Sequence, residues 1–130
     1  MKGTPFETLN LIAQVIYDKQ GTNILALDVE GLSSITDYLL IAEGHVDRHV
    51  TSIARAIIKE LEEKGGPPLL HLEGARAGDW VVLDYGILMV HLFMPGLREK
   101  YSLERLWAES KIIDLDIDIS KSAMGQSNKL

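Results

Sequence analysis

No cysteine occurs anywhere in the chain, which removes disulfides, thiolate zinc sites and thiol nucleophiles together and fits a reducing compartment. No stretch reaches the ~20 apolar residues needed to span a bilayer. The first eleven positions hold one lysine, Pro5 and Glu7 without a long apolar run, so they do not read as a signal peptide, and the expected location is cytoplasmic. Basic residues are scarce as well: thirteen lysines and arginines face nineteen aspartates and glutamates, for a net charge of −6. That is the wrong sign for a protein that holds nucleic acid by neutralising phosphates, and it points to a basic protein partner. Fixed-period repeats and low-complexity tracts are missing too. What remains is 130 residues with 46% hydrophobic content, one folding unit able to bury a core without staples.

The hydrophobic pattern alternates between helix and strand. Phe6, Leu9, Ile12, Ala13, Ile16 and Tyr17 recur at spacings of three and four, the stripe of a helix that ends near Gly21. Residues 23–29 are a short apolar run suited to a buried strand, the glycine and serines of 31–36 mark a connection, and 37–42 reads as the next strand. A longer helix follows, with Val46, Val50, Ile53, Ala54, Ile57, Ile58 and Leu61 on one face, stopped by Gly65, Gly66, Pro67 and Pro68. Strands are predicted at 69–73, 79–84 and 87–93, the last two joined as a hairpin at Tyr85-Gly86. Helical turns are expected over 95–100 and 102–109, a strand-like alternation begins at Lys111, and 120–130 has the composition of a loose tail. The predicted fold class is α+β, an α/β sandwich of two layers: a mixed sheet of about five strands with helices packed mainly on one face. Residues 1–110 make the domain and 111–130 a C-terminal extension.

Helices of this number and length leave much of the other sheet face to solvent or to a partner. Alternation puts Trp80, Val82 and Asp84 on one side of the hairpin and Val81, Leu83 and Tyr85 on the other. A loop at Tyr85-Gly86 sets Asp84 opposite Ile87, Val82 opposite Met89 and Trp80 opposite His91. The side with Val81, Leu83, Leu88, Val90 and Leu92 is aliphatic, as a helix-covered face should be. Trp80, Asp84, Met89 and His91 combine an indole, a carboxylate, a thioether and an imidazole, the composition of an interface centre with a charged edge. The same residues would also suit a second covered face holding a satisfied histidine. Tyr85, at the turn, supplies that interface with an amphipathic edge.

Little speaks for catalysis. His45, His49, His71 and His91 are scattered, with no pair at metal-binding spacing on one helix. Asp114, Asp116 and Asp118 alternate beside the tail, where a solvated acidic edge is a plainer reading than a cation site. Gly31-Leu32-Ser33-Ser34 resembles weakly the turn with which nucleotidyltransferases hold phosphates, but the next strand offers Asp37 without the second acid that would place magnesium. No metal, cofactor or catalytic residue is expected. A metal-dependent nucleotidyltransferase-like enzyme using Ser33, Ser34 and Asp37 is the rival reading, and a homodimer pairing its open sheet faces is a third.

Six strings carry a resemblance: LDVEGLSSITDY at 27–38, DRHV at 47–50, EG at 73–74, DWVVLDYG at 79–86, VHLF at 90–93 and YSLERLW at 101–107. In order and spacing they resemble the ribosomal silencing factor family, also called the Iojap family, over residues 6–109. The resemblance implies an α/β domain related to nucleotidyltransferases without their catalytic residues. It also implies a translation repressor that binds the large ribosomal subunit on ribosomal protein L fourteen and blocks joining of the small subunit in starvation. By this carry-over the strand with Trp80, Asp84 and Tyr85, and its partner strand with His91, lie in or beside the contact. Ile87 stands where the family's turn has an acid, so no acidic contact is carried over there. His45-Val46 replaces a small polar pair before Asp47, which alters the expected helix cap. Such inhibition needs no chemistry beyond excluded volume, and an acidic domain approaching a basic ribosomal protein gains electrostatic steering.

Overall fold

The computed structural model describes residues 4–97 and 110–119. Along these residues run α1 (Pro5–Asp18), β1 (Thr22–Asp28), β2 (Tyr38–Glu43), α2 (Asp47–Glu63), β3 (His71–Glu73), β4 (Trp80–Asp84), β5 (Leu88–Phe93) and β6 (Lys111–Ile113). The strands form one sheet in the order β3-β4-β5-β2-β1-β6. β2 and β5 pair in parallel and the other neighbours antiparallel. The sheet is mixed as predicted, with one strand more: the alternation at Lys111 becomes β6 on the edge of β1. The helical turns predicted within 95–109 lie, from 98 onward, outside the described residues, as does the tail from 120.

Local chemistry sets the helix boundaries. Thr4 caps α1, its Oγ1 accepting the Glu7 N–H at 3.1 Å, with Pro5 in the first turn. Both helices end in the same motif. After α1, Gln20 N–H donates to the Tyr17 carbonyl at 2.9 Å and Gly21 N–H to that of Ile16 at 2.8 Å; after α2, Gly65 donates to Glu62 at 3.3 Å and Gly66 to Leu61 at 2.8 Å. These are Schellman caps, and each needs a left-handed residue, Gln20 at φ 67° in one and Gly65 at φ 68° in the other. α2 begins at Val46 without a side-chain cap. The His49 ring lies there instead, Nδ1 accepting the His45 N–H at 2.8 Å and Nε2 donating to the Lys19 carbonyl at 2.7 Å. One imidazole thus ties the start of α2 to the end of α1.

Leu9, Ile12 and Ile16 of α1 and Val50, Ile53 and Ile57 of α2 pack on Leu40, Val81, Leu83, Leu88, Val90 and Leu92, all buried. Both helices therefore cover one face. The opposite face departs from expectation, because it carries a second buried cluster: Leu27, Val29, Leu39, Ile41 and Phe93, with Leu25, Trp80, Met89 and Leu97 packed against it. The reason is legible in β2, whose Leu39, Leu40, Ile41 and Ala42 are each at most 1% exposed. An unbroken apolar run is the pattern of a strand covered on both sides. Among the described strand residues, the half-buried polar side chains on this face are Glu43 of β2, Asp84 of β4 and His91 of β5.

The β4–β5 register also differs from the predicted one. Trp80 pairs with Phe93, Val82 with His91 and Asp84 with Met89, two positions along. Tyr85 N–H still donates to the Leu88 carbonyl at 2.9 Å, so the turn is Gly86-Ile87, and Gly86 takes φ 86°. A slip of two preserves parity, so the division of residues between faces stands.

Candidate interaction surface

Four of the five singled-out residues come together. Trp80 and Asp84 from β4 and Met89 and His91 from β5 lie on the face away from α1 and α2, each half-buried. The Trp80 ring packs on Phe93 with centroids 5.1 Å apart at 32°, and His91 stacks near Phe93 at 6.1 Å and 16°. The indole N–H donates to His91 Nδ1 at 3.1 Å. This bond needs Nδ1 unprotonated, so the ring proton resides on Nε2. Burial pushes the His91 pKa down to about 4, and the imidazole is neutral at pH 7. It orients the indole and carries no charge to the surface.

Asp84 has a structural task as well. Its Oδ1 accepts the Gly86 N–H at 2.8 Å, an Asx turn that holds the hairpin. Asn can make that bond too, which separates the residue's charge from its turn role. Met89 stands opposite Asp84 and packs against the second cluster.

Tyr85 requires a correction. Its side chain lies on the helix side within the main cluster, 4% exposed, so it is no edge of this surface. Parity alone had put it there; the expectation of an amphipathic edge came from its position at the turn. Burial, and secondarily the charge of Glu62, pushes its phenol up to about 12.

The surface extends to residues that sequence reasoning passed over. The β3–β4 register sets His71 opposite Asp84 and Glu73 opposite Val82, so both join the Trp80 face. They are exposed and bond to each other, His71 Nε2 to Glu73 Oε1 at 3.0 Å. Glu73 appeared in one of the matching strings, and only the pairing of β3 with β4 brings it here. The outcome is an indole centre, a flexible thioether and an acidic margin of Asp84 and Glu73.

The candidate catalytic residues form no such ensemble. Ser33 Oγ accepts the Ile35 N–H at 3.1 Å within its own turn. Tyr38 OH donates to Glu30 Oε1 at 2.9 Å, and this bond, burial and the nearby carboxylates push the Tyr38 pKa up to about 12. Among the described residues no group of three His, Asp or Glu side chains could hold a metal ion. Asp114, Asp116 and Asp118 are exposed on an extended segment tied to α1.

Comparison with known proteins places this geometry. A sequence model described as ribosomal silencing factor during starvation matches residues 3–129. The chain is 38% identical over 113 residues to the ribosomal silencing factor RsfS of Bacillus subtilis, spanning 87% of this chain and 95% of that protein. It is 28% identical to a protein of Mus musculus named mitochondrial assembly of ribosomal large subunit protein 1, over 81% of this chain and 46% of that one. A crystal structure of a Chromobacterium violaceum protein matches with a TM-score of 0.75 at 29% identity, covering 88% of this chain and 94% of the other. Fold and similarity together define an α+β domain of the ribosome-associated regulators. The chain belongs to the ribosomal silencing factor family. The names of these relatives describe regulation and assembly, not an enzyme activity.

Proposed function

We propose that this protein represses translation by docking on the large ribosomal subunit and filling volume that the small subunit needs for joining. The docking partner is a basic ribosomal protein, L fourteen by family resemblance, and no catalysis is involved. The observation that carries the reading is the half-buried Trp80 sharing one sheet face with Glu73, diagonal to it across β3–β4, and with Asp84 further along β4, on a chain of net charge −6. An aromatic centre with an acidic margin suits a basic protein surface: the indole supplies desolvated contact, and the carboxylates supply charge-assisted bonds to lysine or arginine. A standard contact of about 800 Å² per partner is within the reach of one sheet face. The name of the mouse relative, which refers to the large subunit, supports the choice of subunit. The bacterial relative at 38% identity supports a cytoplasmic setting for this reading.

Sedimentation with separated ribosomal subunits tests the reading. The protein should travel with large subunits and reduce the yield of joined particles in proportion to occupancy. Trp80→Ala should weaken large-subunit binding by about 2 kcal/mol, roughly thirtyfold. Because Trp80 also packs on Phe93, its melting curve is recorded alongside. Asp84→Asn, which keeps the turn bond, should weaken binding by about tenfold if a cation lies opposite. A folded Trp80→Ala protein that still co-sediments fully would remove this face from the contact.

A further inference from the structure

The net charge conceals an uneven distribution. Lys19, Arg48, Arg55, Lys59 and Arg76, five of the thirteen basic residues, line one cleft of about 910 Å³, and among the described residues Asp47 is the one acidic residue that lines it with them. One wall is α2, where positions 48, 52, 55 and 59 recur at spacings of four, three and four and so form one stripe. Ser52 and Thr51 set hydroxyls among these cations.

The other wall is the loop 74–78, and it is built to stay in place. Gly78 N–H donates to the Gly74 carbonyl at 2.9 Å, closing a tight turn around Arg76. Thr51 Oγ1 donates to the Ala75 carbonyl at 3.3 Å, tying the loop to α2. A Cβ on Gly78, which has φ 77°, would stand 2.7 Å from the Asp47 carbonyl oxygen, so glycine is what lets the loop approach so closely. Arg48, Arg55 and Arg76 are exposed, and among the described residues none has an ion pair or a side-chain hydrogen bond.

We infer that this cleft binds the phosphodiester backbone of ribosomal RNA, the identity of the RNA resting on the ribosome-docking reading above. Guanidiniums on two fixed walls present paired N–H donors to phosphate oxygens. A protein partner would call for an aromatic or large apolar centre, and the apolar lining here is Ala75 and Ala77. The rest of the chain is more acidic than its average and repels RNA, which confines the approach to this cleft. The cleft lies on the α2 side of the sheet and Trp80 on the other, so RNA and protein contacts do not compete for the same surface.

The full-length protein is titrated by filter binding against deproteinised large-subunit RNA over a range of salt concentration. The logarithm of affinity should fall with the logarithm of salt with a slope of about −2 to −3, each neutralised phosphate contributing roughly 0.7 to 0.9. The triple variant Arg48→Gln, Arg55→Gln, Arg76→Gln should lose about tenfold or more at low salt and flatten the slope by about two units. Lys64→Gln with Lys111→Gln removes two exposed cations away from the cleft and should change affinity less than about threefold. Failure of the wild type to bind this RNA overturns the inference. So does a triple variant that binds like wild type, or tighter binding to poly-glutamate than to RNA, which would assign the cleft to an acidic polypeptide. Co-sedimentation of Trp80→Ala judges the docking reading by itself, since the RNA titration does not depend on that face.

Discussion

Trp80 and His91 are diagonal neighbours on adjacent antiparallel strands, joined by the indole N–H on Nδ1 at 3.1 Å. The bond makes a neutral imidazole part of the fold. Its consequence is a pH dependence with a definite sign. Unfolded His91 takes up a proton near pH 6.5, while the folded residue resists until about pH 4. The stabilisation is therefore complete above pH 6.5 and is lost as pH falls from there through about 4. Urea unfolding should show the wild type losing about 2 kcal/mol more than His91→Gln between about pH 7 and about pH 5. Equal losses would mean that the ring is hydrated and free to protonate in the native state.

Tyr85 brings a phenol into the core, and among the described residues its hydroxyl has no hydrogen-bond partner. Tyr85→Phe keeps the ring packing and removes the cost of desolvating that oxygen. The variant should be more stable by about 1 kcal/mol, read as a higher urea midpoint at unchanged slope. A lower midpoint would show that the hydroxyl is bonded in solution.

Alternation was enough to put Trp80, Asp84, Met89 and His91 on one face, because parity in a strand does not depend on register. The register itself was not legible, since it rests on Gly86 at φ 86° and on the Asp84 bond to the Gly86 N–H, and Tyr85-Gly86 looked like the turn. Leu39 and Ile41 signalled a face covered on both sides, but the argument from helix number favoured a bare one. The basic cleft was out of reach for another reason. It joins position 19, the stripe on α2 and position 76, and total charge averages over that separation. Pairing of the edge strand β6 is likewise set by a distant partner, β1, and propensity carries no information about it.

The two helix ends form an internal comparison. Gln20 and Gly65 occupy equivalent left-handed positions, at φ 67° and 68°, and only glycine does so without steric cost. Gln20→Gly should stabilise the protein by about 0.5–1 kcal/mol, the strain relieved exceeding the entropy added to the unfolded chain. Gly65→Ala should destabilise it by about 1 kcal/mol. Thermal melts of the two single variants decide this, and shifts in the same direction would contradict the equivalence of the caps.

The strap after β6 is held by side chains that act as a strand edge would. Gln14 Oε1 accepts the Asp118 N–H at 2.7 Å while its Nε2 donates to the Asp118 carbonyl at 3.1 Å and to Asp18 Oδ1 at 2.9 Å. Asn10 Oδ1 accepts the Asp116 N–H at 2.9 Å. β6 has three residues, and Ile113 and Leu115 pack against the main cluster, so the amide clamp carries a large share of what keeps the segment in place. Gln14→Ala removes both bonds to Asp118 at once. Amide exchange at Asp116 and Asp118 should then accelerate by about tenfold, equivalent to ~1.4 kcal/mol, while Val90 in the buried parallel pair keeps its protection. Acceleration at Val90 as well would mean that the strap and the sheet open as one unit, and unchanged exchange at Asp118 would mean that Ile113 and Leu115 suffice without the clamp.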